Sequence, residues 1–139
     1  MTTYKQIMNI KSTIPEGQIG DWKVETFEVT KKDATFFNLR QAINARGREI
    51  EPGIYTKLTH YGSVIMSDTP SEKRDHMHFL MDAKGDILIT GLGLGWMVEA
   101  LFSKKEVNSI TIIEKSQDVI NLVGKHLMKN TRRKSIRES

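Results

Sequence analysis

The sequence predicts an α/β fold organised around one βαβ unit, with a β-rich part before it. Residues 86–90 are a short apolar run rich in β-branched residues, which is typical of a buried parallel strand. A turn with three glycines at alternate positions, residues 91–95, follows directly, and apolar residues at helical spacing occupy residues 97–102. A second apolar run, residues 110–113, ends on Glu114. Strand, glycine turn, helix, strand and acid therefore occur in the order of a ligand-binding βαβ unit.

This order predicts a site for an adenosine-containing ligand. Glycines let the backbone turn tightly and approach a ligand, and a carboxylate after the second strand accepts hydrogen bonds from ribose hydroxyls. Glu114 lies 19 residues after Gly95 and is the predicted ribose-binding residue. The predicted substrate-binding residues of the unit are Gly91, Leu92, Gly93, Leu94, Gly95 and Glu114. The alternative is a structural turn, with Glu114 as a solvated acid at a strand end.

The glycine spacing separates two classes of ligand. Gly-x-Gly-x-Gly differs from the Gly-x-Gly-x-x-Gly pattern that binds the pyrophosphate of dinucleotides. It resembles motif I of the class I S-adenosylmethionine (SAM) methyltransferases, which bind a nucleoside without a pyrophosphate. The resemblance implies a Rossmann-like, class I methyltransferase-like unit over residues 85–129, and it favours SAM over NAD.

Length and composition predict one domain. The chain has 139 residues, 38% hydrophobic and 27% charged, which suits a single globular core. The sequence has no apolar run near the roughly 18 residues that span a bilayer, no signal-peptide pattern and no cysteine. A cytoplasmic protein without a membrane contact, a disulfide or a metal site is the expectation. Its predicted parts are a loosely ordered N-terminus (1–20), a β-rich part with helices (21–84), the βαβ unit (85–129) and a basic tail (130–139).

The net charge of +4 is concentrated at the C-terminal end. Residues 125–139 carry a net charge of +5, so the rest of the chain sums to −1. A basic tail on a near-neutral body is usually solvated, and the alternative is an arm that binds nucleic acid or an acidic partner. The body lacks a nucleic-acid-binding pattern. Nucleic acid is therefore not a predicted partner, and residues from Asn130 onward are expected to be frayed.

The β-rich part contains a strand, a helix and a hairpin. Residues 21–30 alternate as a half-buried strand does, and an amphipathic helix that ends at Gly47 should follow. The apolar stripe of that helix consists of Phe36, Leu39, Ile43 and Arg46. Residues 54–67 are predicted to form a β-hairpin with its turn at 60–62.

Two further helices complete the prediction. Residues 68–70, Asp-Thr-Pro, are a strong helix start, and the helix should run to about Ala83. Its predicted buried residues are Met77, Leu80 and Met81. After Glu114, Ser116 should cap a final helix whose inner face is formed by Val119, Ile120, Val123 and Leu127.

The unit is short for a nucleoside-binding fold. Only 25 residues follow Glu114, enough for one helix and a tail. One βαβ unit offers about half of a nucleoside pocket and leaves a sheet edge open. We therefore expect an oligomer with the ligand at subunit interfaces, and loss of binding is the alternative.

Three blocks of sequence resemble a known group of proteins. They are residues 52–58 (PGIYTKL), 64–76 (VIMSDTPSEKRDH) and 87–95 (ILITGLGLG). These blocks look like those of phage proteins related to methyltransferases and spermidine synthases. Truncation after the second strand resembles the small phage-encoded SAM-degrading enzymes, the SAM lyases formerly called SAM hydrolases. The resemblance covers about residues 50–125.

This resemblance implies a homotrimer that holds SAM between subunits and releases methylthioadenosine and L-homoserine lactone. Removing SAM from the host cytoplasm would serve a phage as anti-restriction. SAM is then the substrate, and no cofactor or metal is implied. The sulfonium is already an activated leaving group and SAM's own carboxylate can attack the γ-carbon, so the protein need only hold a near-attack geometry and favour the changing charge.

The resemblance also implies an acid and a tyrosine near the sulfonium. Glu72 matches the family's acid in the Ser-Asp-Thr-Pro block, and either Tyr61 or Tyr55 would be its partner. A carboxylate can neutralise the sulfonium or hold the amino group, and a phenol can orient the methionine carboxylate. From the residues alone, Glu72 is a helix-start acid stabilised by the helix dipole. Asp68 is either a helix cap or a ligand contact.

Other hypotheses stay open. A SAM hydrolase, a reduced SAM-dependent methyltransferase acting with a partner, and a non-catalytic nucleoside-binding protein all fit the glycine turn and Glu114. Trp96 either covers the adenine or packs in the core. His76 and His78 are two apart on a predicted helix, so they point in different directions and make a poor metal pair.

Overall fold

Two β-sheets pack around one hydrophobic core. The computed structural model describes residues 2–43, 50–128 and 134–138. The first sheet is antiparallel with strand order β1-β2-β3-β4, and the second is parallel with strand order β5-β6-β7. In chain order the elements are α1 (Tyr4–Met8), β1 (Gly17–Ile19), β2 (Trp22–Val29), α2 (Lys31–Ile43), β3 (Gly53–His60), β4 (Ser63–Ser67), α3 (Pro70–Asp82), β5 (Gly85–Thr90), α4 (Trp96–Phe102), β6 (Val107–Glu114), α5 (Gln117–Val119), a π-helical turn (Ile120–Gly124), α6 (Lys125–Leu127) and β7 (Lys134–Glu138).

The antiparallel sheet is built on the long pairing of β2 with β3. Trp22 lies opposite His60 at one end of this pairing, and Val29 lies opposite Gly53 at the other. The two-residue turn Tyr61–Gly62, with φ of 51° and 80°, joins β3 to β4. Positive φ at both turn residues matches the right-handed twist of a hairpin. The predicted hairpin is confirmed.

The parallel sheet contains the predicted strand, glycine turn, helix and strand. β5 and β6 pair in parallel, with Ile87 opposite Ile110, and α4 connects them. The expectation that β5 is buried on both faces was wrong, because Leu88 is 65% exposed. No element within the described ranges covers that face of the strand.

A third strand extends this sheet where a frayed tail was expected. β7 pairs in parallel with β6, from Ile110 opposite Lys134 to Glu114 opposite Glu138. The tail prediction was therefore wrong for residues 134–138, and β5 and β7 are the edge strands of this sheet. Residues 129–133 lie outside the described part of the chain. Backbone pairing with a neighbouring strand stabilises a strand even where its own apolar pattern is weak.

The N-terminal segment, residues 2–16, is ordered, which corrects the prediction of a loose N-terminus. Thr3 and Gln6 form a reciprocal capping box that starts α1. Ile7 and Ile14 are buried in the core. The Ser12 amide donates to Asp68 Oδ2 at 2.9 Å, and the Ser12 hydroxyl donates to the Leu94 carbonyl at 3.4 Å. The segment therefore bonds to both the β4–α3 junction and the glycine turn.

Helix α2 exposes two of the apolar residues, Phe36 and Leu39, that were predicted to form its inner stripe. The side chain of Ile43, a third predicted member, lies outside the described part of the chain. Phe36 is 65% exposed, Leu39 58% and Phe37 40%. Its buried residues are instead Ala34 and Gln41. Arg46 and Gly47, predicted to complete this helix, lie outside the described residues.

Helix α3 buries a stripe at positions 73, 77 and 80, at the spacing of one helix face. Met77 and Leu80 are buried as predicted, whereas Met81 is 39% exposed and Lys73 takes the third buried place. Burial lowers the pKa of the Lys73 ammonium, while nearby Asp68 opposes that shift. Lys104 caps the far end of the helix, because its Nζ donates to the carbonyls of Leu80, Met81 and Ala83 at 2.6–2.8 Å.

The last helical segment begins as predicted, with the Ser116 hydroxyl accepting a hydrogen bond from the Val119 amide at 3.3 Å. The π-helical turn then shifts the inward face of the helix. The buried side chains of the whole helical segment are Val119, Leu122, Val123 and Leu127, so Leu122 replaces the predicted Ile120 on its inner face. Within the described ranges, no helix has the length and apolar character needed to cross a membrane.

Candidate functional site

Two adjoining cavities lie at the carboxyl ends of β5 and β6. Their volumes are about 310 and 370 Å³, at the lower end of the range for small-molecule pockets. The residues that line both are Trp22, Thr90, Gly91 and Glu114. In open α/β sheets, ligands bind in the crevice beyond the carboxyl ends of the parallel strands. These cavities are therefore the candidate site.

The glycine turn adopts a backbone that other residues disfavour. Gly91, Gly93 and Gly95 have φ of 89°, 55° and 82°, a region costly for residues with a Cβ. Two of the three also have packing reasons to be glycine. A Cβ on Gly93 would lie 2.7 Å from Met66 Sδ, and one on Gly95 would lie 2.7 Å from Leu127 Cδ1.

Gly91 differs from the other two glycines. A Cβ at this position would meet no atom within 4 Å, and the residue lines both cavities. The lack of a side chain here leaves the backbone accessible from the cavities. Gly91 is therefore the glycine whose position best fits close approach of a ligand.

Glu114 connects the glycine turn to the end of β6. Its Oε1 accepts a hydrogen bond from the Leu92 amide at 3.1 Å, and its Oε2 accepts one from the Ser116 amide at 3.2 Å. The carboxylate is thereby held in one orientation at the wall of both cavities. A carboxylate oxygen has capacity for a second hydrogen bond, so ribose hydroxyls could donate to it. The side chains of Leu92 and Leu94 are buried in the core. Of the glycine turn, Gly91 lines both cavities and Gly93 lines the first.

The end of β4 packs against the glycine turn. The Leu94 amide donates to Met66 Sδ at 3.2 Å, and Trp96 Nε1 donates to the Ser67 carbonyl at 3.0 Å. These contacts bring the Ser-Asp-Thr-Pro block beside the Gly-Leu-Gly-Leu-Gly block. Trp96 is fully buried, so the core-packing alternative for this residue is the correct one.

Glu72 lies in the first turn of α3 and bonds to the same junction. Its Oε1 accepts hydrogen bonds from the amide and the hydroxyl of Ser67, both at 3.1 Å. Glu72 is partly exposed, but it does not line either cavity. Its position as a first-turn acid is the one predicted from the helix pattern.

Asp68 is not the cap of α3, because Thr69 occupies that position. Asp68 is only 1% exposed. Its Oδ1 accepts from the Thr56 amide at 2.8 Å, and its Oδ2 accepts from the Ser12 amide at 2.9 Å. The carboxylate thus joins β3, the N-terminal segment and the start of α3.

The two candidate tyrosines lie at opposite ends of β3. They are six residues apart, about 20 Å along an extended strand. Tyr55 is buried and donates to the Glu51 carbonyl at 2.7 Å, whereas Tyr61 is 75% exposed in the hairpin turn. One site in one chain therefore cannot use both.

Both phenols are held in their protonated form. Burial, with added repulsion from Glu51 and Asp68, raises the pKa of Tyr55. A hydrogen bond with the Asp21 carboxylate raises the pKa of Tyr61. Near neutral pH each phenol is thus a hydrogen-bond donor rather than a base, and in one chain the Tyr55 proton goes to the Glu51 carbonyl and the Tyr61 proton to the Asp21 carboxylate.

Trp22 and His76 were missed by the sequence reasoning. Trp22 begins β2 and lines both cavities, and His76 on α3 lines the first of them. The pattern of residues 21–30 predicts a half-buried strand but does not say which end of the strand meets the glycine turn. Only the packing of the β-rich part against the βαβ unit shows which end of the strand that is.

Within the described ranges, no group of three or more His, Asp or Glu side chains is arranged to hold a metal ion. No protein-family model matches the chain, and comparison with curated proteins gives no match.

Proposed function

We propose that this chain is a SAM lyase. It would cleave SAM to methylthioadenosine and L-homoserine lactone, acting as an oligomer, a homotrimer by its resemblance, with SAM at subunit interfaces. The observation that carries the proposal is the pair of cavities bounded by Gly91 and Glu114 at the carboxyl ends of β5 and β6. An accessible glycine backbone beside an oriented carboxylate suits the adenosine half of SAM.

The topology supports a Rossmann-like assignment of the parallel sheet. Strands β5, β6 and β7 are adjacent in chain order and mutually parallel, with helical segments between them. In a Rossmann fold the first three strands are likewise adjacent, and the ligand lies over the first strand–helix turn. This arrangement corresponds to one half of such a sheet.

The candidate catalytic residues do not line the cavities of their own chain, and this supports an oligomer. None of Glu72, Tyr55 and Tyr61 lines them, yet a SAM lyase needs groups around the methionine half of SAM. Tyr61 is 75% exposed in the hairpin turn, so a neighbouring subunit could contact it. The apolar face of α2, formed by Phe36, Phe37 and Leu39, is the kind of exposed surface that marks an association site.

The proposed chemistry requires no external nucleophile. One oxygen of the SAM carboxylate attacks the γ-carbon, a C–O bond forms, and the bond from the γ-carbon to sulfur breaks. The electron pair returns to sulfur, which becomes the neutral thioether of methylthioadenosine, and no proton is transferred. The protein would hold the methionine chain in a folded, near-attack geometry. Glu72 would act electrostatically on the charged methionine half, and a tyrosine would orient the attacking carboxylate.

The decisive experiment is to mix the purified protein with SAM in water enriched in ¹⁸O and to identify the products by mass spectrometry. Lyase chemistry releases unlabelled lactone, and later opening of the lactone at its carbonyl places the label in the carboxylate of homoserine. Direct hydrolysis at the γ-carbon places the label in the hydroxyl group instead. The label position separates the two activities even when all the lactone has opened.

Each other outcome selects among the alternatives. Label in the hydroxyl group would replace the lyase with a SAM hydrolase. Binding of SAM without turnover would favour a nucleoside-binding protein or a methyltransferase that needs its acceptor or a partner. If the protein neither binds nor cleaves SAM, the proposal is overturned. Light scattering on the same sample tests self-association, and a monomer at all concentrations would contradict the subunit-interface site.

Replacing Gly91 with alanine should weaken SAM binding by on the order of tenfold or more, because the added methyl group would enter the space beside the ligand. Calorimetric titration measures the change. Gly85→Ala is the matched control, since Gly85 has a similar φ of 74°, meets no atom within 4 Å and lies at the opposite end of β5. Both variants should lose roughly 1–2 kcal/mol of stability from the positive φ. Equal SAM affinity in the two variants would contradict a site at Gly91.

A further inference from the structure

Trp22 is an aromatic residue whose position suits ligand contact. It comes from the antiparallel sheet, yet it borders both cavities together with Gly91 and Glu114 of the parallel sheet. It is partly exposed. Part of the wall of both cavities is thus supplied by a strand that lies outside the βαβ unit.

The orientation of the Trp22 ring is fixed by its neighbour. His60 lies opposite Trp22 in the pairing of β2 with β3, and the two rings are stacked with centroids 3.9 Å apart and planes 7° apart. His60 in turn contacts the ring of Tyr61, at a centroid distance of 4.4 Å. Because His60 covers one face of the indole, only the opposite face can stack against a ligand.

We infer that Trp22 stacks against the base of a purine nucleoside whose ribose lies at Glu114. This inference rests on the nucleoside part of the proposed function. A base is joined directly to its ribose, and Trp22 and Glu114 border the same two cavities, so one nucleoside can contact both. Aromatic side chains that are already held flat bind a base well, because they lose little freedom on binding.

The same arrangement makes Trp22 a positioning residue for SAM cleavage. The base lies far from the sulfonium carbon that reacts, so the stack contributes to binding of SAM and of methylthioadenosine alike. Loss of an interaction made equally before and during the reaction raises KM and leaves kcat nearly unchanged. This split distinguishes Trp22 from Glu72, whose loss should lower kcat.

Fluorescence can report on Trp22 directly. The chain has two tryptophans, and Trp96 is fully buried with its Nε1 bonded to the Ser67 carbonyl. Binding of methylthioadenosine should therefore change the emission of Trp22. The response should disappear in Trp22→Phe, which keeps an aromatic ring for stacking but removes the reporter.

The test combines calorimetric titration of methylthioadenosine with steady-state cleavage of SAM. Trp22→Leu should weaken methylthioadenosine binding on the order of tenfold and raise KM for SAM by a similar factor. kcat should stay within about threefold of the original value. Trp22→Phe should stay within about threefold in affinity. Phe27→Leu is the matched control, because Phe27 is on the same strand, contacts Tyr55 and does not border either cavity.

The experiment distinguishes failure of the stacking inference from failure of the proposed function. If Trp22→Leu folds and binds methylthioadenosine as tightly as the original protein, the stacking inference is overturned and the nucleoside site stands. If Trp22→Leu does not fold, the fluorescence of the original protein decides: saturation seen by calorimetry without any change in emission overturns the inference. If the original protein binds neither SAM nor methylthioadenosine, the proposed function falls, and this inference falls with it.

Discussion

Replacing Glu72 with glutamine should lower the rate of SAM cleavage on the order of 100-fold or more while leaving the fold intact. Glutamine keeps a side-chain oxygen that can accept the two hydrogen bonds from Ser67. The substitution removes only the negative charge proposed to act on the methionine half of SAM. The rate of methylthioadenosine formation measures the effect, and urea unfolding should show a stability change of less than about 1 kcal/mol.

Asp82→Asn provides the control for this variant. Asp82 is at the other end of α3, and its side chain is 73% exposed beside His78. Its rate should stay within about twofold of the original, because an exposed charge at that distance is largely screened by salt. Full activity in a folded Glu72→Gln protein would remove Glu72 from the mechanism and return it to the role of a helix-start acid.

Replacing Asp68 with alanine should lower the free energy of unfolding by about 3–5 kcal/mol. The amides of Ser12 and Thr56 would lose their charged acceptor, and each such bond contributes about 1.5–3 kcal/mol. The buried ammonium of Lys73 would also lose the nearby negative charge that opposes its desolvation. Urea unfolding, with the protein free of ligand, measures the loss.

Two further variants give smaller expected losses of stability, against which the loss in Asp68→Ala can be compared. Asp68→Asn keeps one acceptor oxygen but turns an amide group toward the second backbone N–H, so its loss should be intermediate. Asp86→Ala removes an exposed acid whose pKa is lowered by hydrogen bonds from Ser109 and Asn108, and it should change the stability far less than Asp68→Ala, because solvent screens surface charges. A loss under 1 kcal/mol for Asp68→Ala would show that this junction does not hold the N-terminal segment.

The central elements of the fold were predictable because their local signals agree. The apolar runs of β5 and β6, the glycine turn between β5 and α4, and Thr69 before Pro70 each indicate one structure without help from distant residues. β7 carries no comparable signal, since Ile136 is its one apolar residue, and its pairing with β6 defines it. For α1, the Thr3 and Gln6 capping box was visible in the sequence, but a helix of five residues is too short for an apolar period to show.

The residues of the candidate site also differ in how far the sequence predicts them. Gly91 and Glu114 belong to one continuous motif, so spacing alone was enough to select them. Trp22 reaches the cavities only because β2 pairs with β3 and β4 packs on the glycine turn, and no local pattern reports those contacts. The structure gives Asp68 a function in the fold that its place before Thr69 and Pro70 concealed. The two tyrosines remained equivalent in the sequence because no local pattern shows how either one lies relative to the glycine turn.

The N-terminal segment has a consequence for the order in which the chain folds. Its bonds join Ser12 to Leu94 and Thr2 to Ser103, residues 82 and 101 positions apart. Closing loops of that length costs conformational entropy before any contact offsets it, and α1 alone is too short to persist in water. The segment should therefore dock after β2 and β3 have paired. In pulse-labelled hydrogen exchange during refolding, the Ser12 amide should gain protection later than the amides of β2 and β3, and simultaneous protection would place docking in the first cooperative step.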